Sequence, residues 1–453
     1  MTDFKPFVDA NQASMLEELK ALLRIPSIST DPKHNADCRK AAEWLGDHLR
    51  KLGCTVEYLA SETHPVVWAV GPAAPGRPTV LVYGHYDVQP PDPLNEWTSP
   101  PFEPTVRNGD LFARGATDDK GQVFAVVKAL AAVLAAGKPP VNVRFLLEGQ
   151  EESGSKILFD LLTREPERVR ADAVIVADTP YFAPGWPSVE TGLRGLVYAE
   201  IKVRTAKSDL HSGLYGGVAP NAHETLARIL AGLKGADGRI KIPGLYETVE
   251  RPSKTVRDAW AKLPFNLRKF MKEEVGVKAL TGIKSYSVFE RVWALPTFEI
   301  HGIIGGFTGE GAKTVIPAEA TAKVSLRLVP KLTEKKVQAM LTKAVKALAP
   351  KYADVKVTFV HGANPVLVDV ESKPIALIDR AFKEVEGRGV VPVRSGGSIP
   401  IVPELAKEGA PVVLSGIGLP DDRLHAPDEK IAVEQVWKGV RVFARFFQLM
   451  GEG

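Results

Sequence analysis

His85 and Asp87 are separated by one residue and directly follow a short apolar run, residues 79–83, that is typical of a buried strand. In α/β proteins, ligands bind at the carboxyl ends of the strands. A histidine beside a carboxylate is the usual unit of a metal site, because one ring nitrogen binds the metal and the carboxylate fixes the tautomer through the other. One such pair is common, so a metal site requires further ligands elsewhere in the chain.

Further acidic and imidazole side chains recur beside the predicted strands and helices. They are Asp118, before a helix at 121–136; Glu151 and Glu152, after a strand at 141–147; Asp178, after a strand at 173–177; and His425, after a strand at 411–414. Taken singly, each has an ordinary interpretation, as a helix N-cap, a solvated turn, a turn residue before proline or a structural histidine. Together at one expected sheet edge, two imidazoles and three carboxylates suit a pair of Zn²⁺ ions, or of Mn²⁺ or Co²⁺.

The order of the predicted elements indicates an α/β protein with an inserted domain. Strands alternate with helices up to about residue 195, which favours a mainly parallel sheet. Residues 197–360 then follow a β-α-β-β-α-β order, the ferredoxin-like arrangement, with a long insertion at about 241–296. The α/β pattern resumes near residue 367. We therefore predict a catalytic domain formed by residues 1–195 and 367–453, interrupted by an α+β domain at 196–366.

Composition and charge restrict the class of protein. The chain has 453 residues, 45% hydrophobic and 25% charged, as in soluble globular proteins of two or three domains. Its net charge of +4 comes from dispersed Lys and Arg, so we expect no nucleic-acid partner. The N-terminus lacks the apolar stretch of a signal peptide, no window is long and apolar enough to span a bilayer, and there are two cysteines. We expect a cytoplasmic protein with no membrane partner and no disulfide framework.

These motifs, in this order, resemble the two-zinc exopeptidases. That family includes cytosolic nonspecific dipeptidase, carnosinase, carboxypeptidase G, aminoacylase and succinyl-diaminopimelate desuccinylase. The resemblance covers nearly the whole chain and is closest to the dipeptidase branch. The motifs that carry it are Gly-His-Tyr-Asp-Val-Gln-Pro at 84–90, Ala-Thr-Asp-Asp-Lys-Gly at 116–121 and Glu-Gly-Gln-Glu-Glu-Ser-Gly-Ser at 148–155. The long segment at 241–296 also fits that branch.

The resemblance implies a role for each residue of the expected metal centre. His85 and Asp178 would hold one zinc, Glu152 and His425 the other, and Asp118 would bridge the two. Two further residues would act on these: Asp87 would orient His85, and Glu151 would be the general base for a water shared by the metals. The family often has a cis peptide after the bridging aspartate, here between residues 118 and 119.

The resemblance also implies that the inserted domain is a lid and a dimerisation domain. In the dipeptidases, a histidine of the neighbouring subunit completes the active site by stabilising the oxyanion, and His211 matches it. Thr314 matches a second position that contacts substrate across the dimer. We therefore expect a homodimer in which a monomer lacks a complete site.

Three segments match positions that hold the substrate. Arg327 lies on a predicted strand whose alternate residues are apolar, so it faces away from the core; it is either an ordinary exposed arginine or, as the resemblance favours, a clamp on a substrate carboxylate. Gly397 and Ser398 precede a helix, and the backbone N–H groups there, with the Ser398 hydroxyl, suit the same carboxylate. His361 matches a further substrate-facing position.

The expected activity is hydrolysis of dipeptides or removal of a C-terminal residue. The alternative on the same scaffold is an N-acyl-amino-acid deacylase or desuccinylase, whose substrate also ends in a free carboxylate. A binding or scaffold protein without catalysis is disfavoured, because Glu151 and all five expected ligands are present.

Overall fold

The computed structural model of the protein describes residues 3–396, 399, 401–407 and 409–452. The helices are α1 (Lys5–Leu23), α2 (Asn35–Lys51), α3 (Lys120–Ala135), α4 (Lys156–Arg164), α5 (Ser212–Tyr215), α6 (Ala222–Leu233), α7 (Lys254–Ala261), α8 (Leu267–Lys269), α9 (Glu334–Leu348), α10 (Lys373–Glu386), α11 (Val402–Leu405) and α12 (Val433–Glu452).

The strands lie between these helices along the chain. They are β1 (Thr55–Leu59), β2 (Val66–Val70), β3 (Thr79–His85), β4 (Thr105–Arg107), β5 (Asp110–Phe112), β6 (Asn142–Glu148), β7 (Ala173–Val176), β8 (Ser188–Leu193), β9 (Gly195–Arg204), β10 (Leu210–His211), β11 (Thr297–Gly305), β12 (Val315–Ile316), β13 (Glu319–Leu328), β14 (Asp354–Ala363), β15 (Val366–Leu367), β16 (Val391–Ser395), β17 (Val412–Leu414) and β18 (Lys430–Ala432).

The chain forms two compact units. The first contains the described residues up to 191, residues 368–393 and those from 399 onward; the second contains residues 192–367 and 394–396. The predicted domain boundaries at 195/196 and 366/367 remain a prediction, because compactness alone does not show which part of the chain folds independently.

The first unit is built on a mixed sheet whose centre is parallel. Its strands are ordered β1-β2-β6-β3-β7-β17-β8, and β6, β3, β7 and β17 run parallel. The apolar runs of β3 and β7 are almost completely buried, as expected for parallel strands covered on both faces. Helices α3 and α12 pack against each other. This mainly parallel α/β architecture is the one predicted from the sequence.

A second, small sheet in the first unit changes one expectation. Strands β4, β5 and β18 pair antiparallel in the order β18-β5-β4. The segment that carries Asp118 follows β5 and therefore leaves this small sheet, not the edge of the central sheet. The expectation that all five ligands lie at one sheet edge was wrong for Asp118, because the preceding strand β5 belongs to the small sheet and not to the central one.

The second unit contains the predicted ferredoxin-like arrangement. Its sheet is antiparallel in the order β11-β13-β9-β14, and helices α6 and α9 pack on one face. The core consists of residues such as Val197, Leu226, Val324 and Leu341, each at most 1% exposed. The long insertion expected at about 241–296 contains the short helices α7 and α8, followed by a π-helical turn, Phe270–Glu274.

No helix among the described residues is both long enough and apolar enough to cross a bilayer.

Candidate metal centre

The imidazole of His85 is fixed on both sides at the end of β3. The ring is almost completely buried. Its Nδ1 lies 3.1 Å from the backbone oxygen of Asp87 and 3.4 Å from the Oδ1 of the same residue. Its Nε2 faces Asp118 at 3.1 Å and Asp178 at 3.9 Å. The Nδ1 is therefore engaged in orienting the ring, and the Nε2 faces the other acidic side chains.

The two carboxylate oxygens of Asp118 face two different imidazoles. Oδ1 lies 3.1 Å from the Nε2 of His85, and Oδ2 lies 2.9 Å from the Nε2 of His425. The Nε2 of His425 also lies 3.4 Å from the Oε1 of Glu152. Two groups of candidate ligands, which share Asp118, therefore lie side by side: His85, Asp118 and Asp178 in one, and Asp118, Glu152 and His425 in the other.

The local structure argues against the plain interpretations of these acids. Asp119 occupies the N-cap position of α3 but makes no side-chain cap; its Oδ2 instead accepts a hydrogen bond from the backbone N–H of His85. The peptide between residues 118 and 119 is cis, as the resemblance implied. The side chains of Glu152 and Asp178 are only 4% and 12% exposed, so neither lies in a solvated turn.

Asp87 links the imidazole to the turn that carries the two glutamates. This residue is fully buried. Its carboxylate accepts hydrogen bonds from the backbone N–H groups of Glu151 and Glu152 and from the hydroxyl of Ser29. The side chain predicted only to orient His85 therefore also fixes the short helical turn at Glu151–Ser153.

Glu151 lies in a setting that raises its proton affinity. Burial, together with the negative charges of Glu152 and Asp87, raises the pKa of its carboxyl to about 8, while His85 opposes the shift. A group whose pKa lies near neutrality is well suited to take up and return a proton.

The chemistry of this donor set fits divalent cations. Glu152 Oε2 accepts a hydrogen bond from Gln89, whereas its buried Oε1 faces the Nε2 of His425 at 3.4 Å. Burial and neighbouring carboxylates raise the pKa of Asp178, and the adjacent carboxylates of Asp118 and Glu152 raise the pKa of His425 to about 10. Divalent cations can replace these protons and neutralise the carboxylates, so this cluster suits metal binding.

Four of the residues expected to bind substrate lie in the second unit: His211, Thr314, His361 and Arg327. His211 and Thr314 are exposed neighbours, because β10 pairs with β12 and the N–H of Ser212 donates to the oxygen of Thr314. His361 stacks on the ring of Tyr198 with their centroids 5.1 Å apart, and the same tyrosine stacks on His301 at 5.3 Å.

Arg327 is half-buried, and burial lowers its pKa, so it is not an ordinary exposed arginine. Gly397 and Ser398, expected to share the substrate carboxylate with it, lie outside the described residues.

The sequence analysis did not identify Arg194, a buried arginine near Arg327, as a candidate functional residue. Burial and the charge of Arg327 lower the pKa of Arg194 to about 10. Its Nε donates to the backbone oxygen of Gly396, and its buried Nη1 has no acceptor among the described residues. The available signal was its position directly before a strand that pairs with the strand of Arg327.

A comparison with family models decides the classification. The model described as Peptidase family M20/M25/M40 matches residues 81–449. The chain belongs to this family. As an M20 family member, the protein is a hydrolytic enzyme and a metallopeptidase.

Individual M20 relatives match over nearly their whole length. The chain is 30% identical to the Beta-Ala-His dipeptidase of Rattus norvegicus, over 97% of this chain and 94% of that protein. It is 31% identical to the Cys-Gly metallodipeptidase dug1 of Schizosaccharomyces pombe, over 97% and 96%. Among solved structures it is similar to an M20 family metallo-carboxypeptidase from Sulfolobus solfataricus, with a TM-score of 0.88 and 30% identity over 97% of this chain and 99% of that one. Human carnosine dipeptidase 1 gives a TM-score of 0.84 and 29% identity over 99% and 98%.

Proposed function

We propose that this M20 peptidase is a dinuclear zinc dipeptidase that hydrolyses small peptides with a free C-terminal carboxylate. The observation that carries the proposal is the arrangement of Asp118, whose two oxygens face two imidazoles at 3.1 and 2.9 Å. One carboxylate between two groups of ligands is how two-metal hydrolases bridge their ions. The dipeptidase names of the relatives favour this activity over N-acyl-amino-acid deacylation.

Five side chains would hold the ions. His85 and Asp178 would bind one Zn²⁺, Glu152 and His425 the other, and Asp118 both; Mn²⁺ or Co²⁺ suit the same nitrogen and oxygen ligands. When bound, such ions supply a shared water of lowered pKa and polarise the amide carbonyl.

Glu151 would move the proton during hydrolysis. A buried carboxylate on the turn that also carries the proposed ligand Glu152 suits a group that accepts a proton from the attacking water and returns it to the leaving amine. Because Asp87 holds the backbone N–H groups of residues 151 and 152, it would keep this carboxylate in place.

The second unit would recognise the substrate. A guanidinium binds a carboxylate with two parallel hydrogen bonds, which suits Arg327 for the C-terminus of a dipeptide. Gly397 and Ser398 would contact the same carboxylate through backbone N–H groups and a hydroxyl, and His361, held by its stack on Tyr198, would contact the substrate directly.

We also propose a homodimer in which His211 and Thr314 reach the neighbouring active site. Strand β11 forms one edge of the second unit's sheet, and its apolar side chains Ile300, Ile303 and Ile304 are 46%, 52% and 58% exposed. An apolar strand edge favours pairing with another chain.

Cytoplasmic location is a further part of the proposal, supported by the two free cysteines, Cys38 and Cys54.

Replacement of the proposed general base tests the activity. Glu151→Gln should retain two metal ions per chain but lower kcat on dipeptides by about 10²- to 10⁴-fold, the usual contribution of general acid–base catalysis. Metal content is measured by elemental analysis, with the exposed Glu167→Gln as the matched control. Wild-type kcat in Glu151→Gln would refute the assignment.

A substrate panel distinguishes the two activities of this scaffold. Dipeptides should be hydrolysed faster than N-acetyl, N-succinyl or N-carbamoyl amino acids. The reverse order would identify an N-acyl-amino-acid deacylase instead.

A further inference from the structure

Arg114 and Glu429 form an ion pair that is buried in the first unit close to the proposed metal ligands. The side chains are 1% and 0% exposed, and the Nη1 of Arg114 donates to the Oε2 of Glu429 at 2.6 Å. Removing two charges from water carries a large desolvation cost, so such a pair is weak evidence for stability by itself. The remaining contacts of the pair indicate what else it does.

Glu429 accepts hydrogen bonds along the segment that leads to Asp118. Its Oε2 also accepts from the backbone N–H of Gly115 at 2.9 Å. Its Oε1 accepts from the N–H of Thr117 at 3.0 Å and from the N–H of Asp118 itself at 3.1 Å. One carboxylate therefore fixes three backbone groups of the segment that ends in the proposed bridging ligand.

Arg114 extends the same arrangement to two other segments. Its Nη2 donates to the backbone oxygen of Pro90 at 3.3 Å and to that of Ala426 at 3.4 Å. Pro90 belongs to the loop after His85, and Ala426 directly follows His425. The ion pair thus contacts the three separate segments that carry His85, Asp118 and His425.

We propose that the Arg114–Glu429 pair presets the metal centre, with Glu429 as the positioning residue for Asp118. The inference rests on the proposed function, because it takes these three side chains as metal ligands. Neither residue of the pair contacts a metal in this scheme. The pair acts by holding the loops in the binding geometry before any metal arrives, which lowers the cost of ordering them on binding.

Metal affinity is the decisive measurement. Groups that orient metal ligands typically contribute 10- to 100-fold in affinity, so Glu429→Gln should weaken Zn²⁺ binding by about that factor in a competition titration with a chelator. Asp428→Asn is the matched control, because this neighbouring carboxylate accepts its hydrogen bonds from Thr98 and Arg107. It should bind Zn²⁺ like the wild type.

A second readout separates positioning from catalysis. Excess Zn²⁺ should restore dipeptide hydrolysis in Glu429→Gln, whereas it should not restore Glu151→Gln. Unchanged Zn²⁺ affinity in Glu429→Gln would overturn the inference while leaving the dipeptidase assignment intact. Failure of the wild type to bind Zn²⁺ would instead overturn the proposed function.

Hydrogen exchange on the wild type covers the case in which Glu429→Gln does not fold. In metal-free enzyme, the amide protons of Gly115, Thr117 and Asp118 should exchange slowly, because all three N–H groups donate hydrogen bonds to the Glu429 carboxylate. Rapid exchange there, with the neighbouring strand β5 protected, would show that the segment is not preset and would contradict the inference.

Discussion

At the scale of single residues, Asp87 connects two parts of the proposed chemistry. Its backbone oxygen faces the imidazole of His85, while its carboxylate holds the turn that carries Glu151 and Glu152. A change at Asp87 therefore acts on the proton-transferring carboxylate as well as on the imidazole. A change at His85 removes a ligand.

Substitution of these two residues should give different losses. His85→Ala should lower the bound metal, because it removes an imidazole whose Nε2 faces two carboxylates. Asp87→Ala should keep most of the metal but lower kcat about 10- to 100-fold, the range for groups that orient ligands. Metal content and kcat are measured on the same preparations. Equal metal loss in both variants would contradict the separate roles.

At the scale of elements, helix α3 begins unusually close to the segment that carries Asp118. A Cβ placed on Gly121 would lie 1.9 Å from the backbone oxygen of Ala116, so no side chain fits there without moving that segment. The glycine allows the close approach that positions the proposed bridging ligand.

Gly121→Ala should therefore displace residues near Asp118. We expect a loss of about 1–3 kcal/mol in the free energy of unfolding, as for overpacked sites, together with weaker metal binding. Chemical denaturation and a Zn²⁺ titration measure these effects. Gly302→Ala is the control, because apart from the glycine and its chain neighbours no atom of the described residues lies within 4 Å of its added Cβ. Unchanged stability and metal binding in Gly121→Ala would show that the segment around Ala116 can shift without disturbing Asp118, and would contradict this role of the glycine.

Strand β8 buries a carboxyl group whose titration should affect stability. Glu190 is 7% exposed, and burial raises the pKa of its carboxyl to about 8, well above the ordinary value for a glutamate. Because the unfolded chain releases this proton at lower pH, the folded state loses stability as the pH rises from about 4.5 to 8.

Glu190→Gln should remove this penalty. The variant should be more stable than the wild type at pH 8.5, by an amount of order a few kcal/mol given about 1.4 kcal/mol per pKa unit, and the difference should shrink towards pH 5. Thermal unfolding at several pH values measures it, with the exposed Glu434→Gln as control. A difference independent of pH would exclude Glu190 titration as its cause.

At the scale of the whole molecule, the proposed active site combines residues of two chains. His211 would come from one subunit and Glu151 from the other. Two inactive variants should therefore complement each other, provided that the site is shared.

Mixing Glu151→Gln with His211→Ala should restore activity. Half of the re-associated dimers are mixed, and each mixed dimer contains one intact site, so about a quarter of wild-type activity should return. The two variants are unfolded or dissociated together, refolded and assayed, and each variant treated alone is the control. Absence of recovery, with mixed dimers shown to form, would contradict the shared site.

The sequence alone indicated the parts of this enzyme that depend on local patterns. Apolar runs predicted the buried strands β3, β6 and β7, and the β-α-β-β-α-β order predicted the sheet of the second unit. The positions of His85, Asp118, Glu152, Asp178 and His425 beside predicted elements, together with the family resemblance of their motifs, predicted them as one set of metal ligands. Such features are readable because burial and backbone geometry restrict residue type along the chain itself.

Only the tertiary structure decided how distant segments support one another. Three features depend on contacts between residues far apart in the chain. The segment with Asp118 follows a strand of the separate small sheet, and Asp87 accepts hydrogen bonds from the turn that contains Glu151. Glu429 accepts hydrogen bonds from three backbone groups near residue 115. The residue type of a buried carboxylate is the same whether it binds a metal, positions a loop or accepts a proton. Its surroundings, which no local pattern encodes, determine which of these it does.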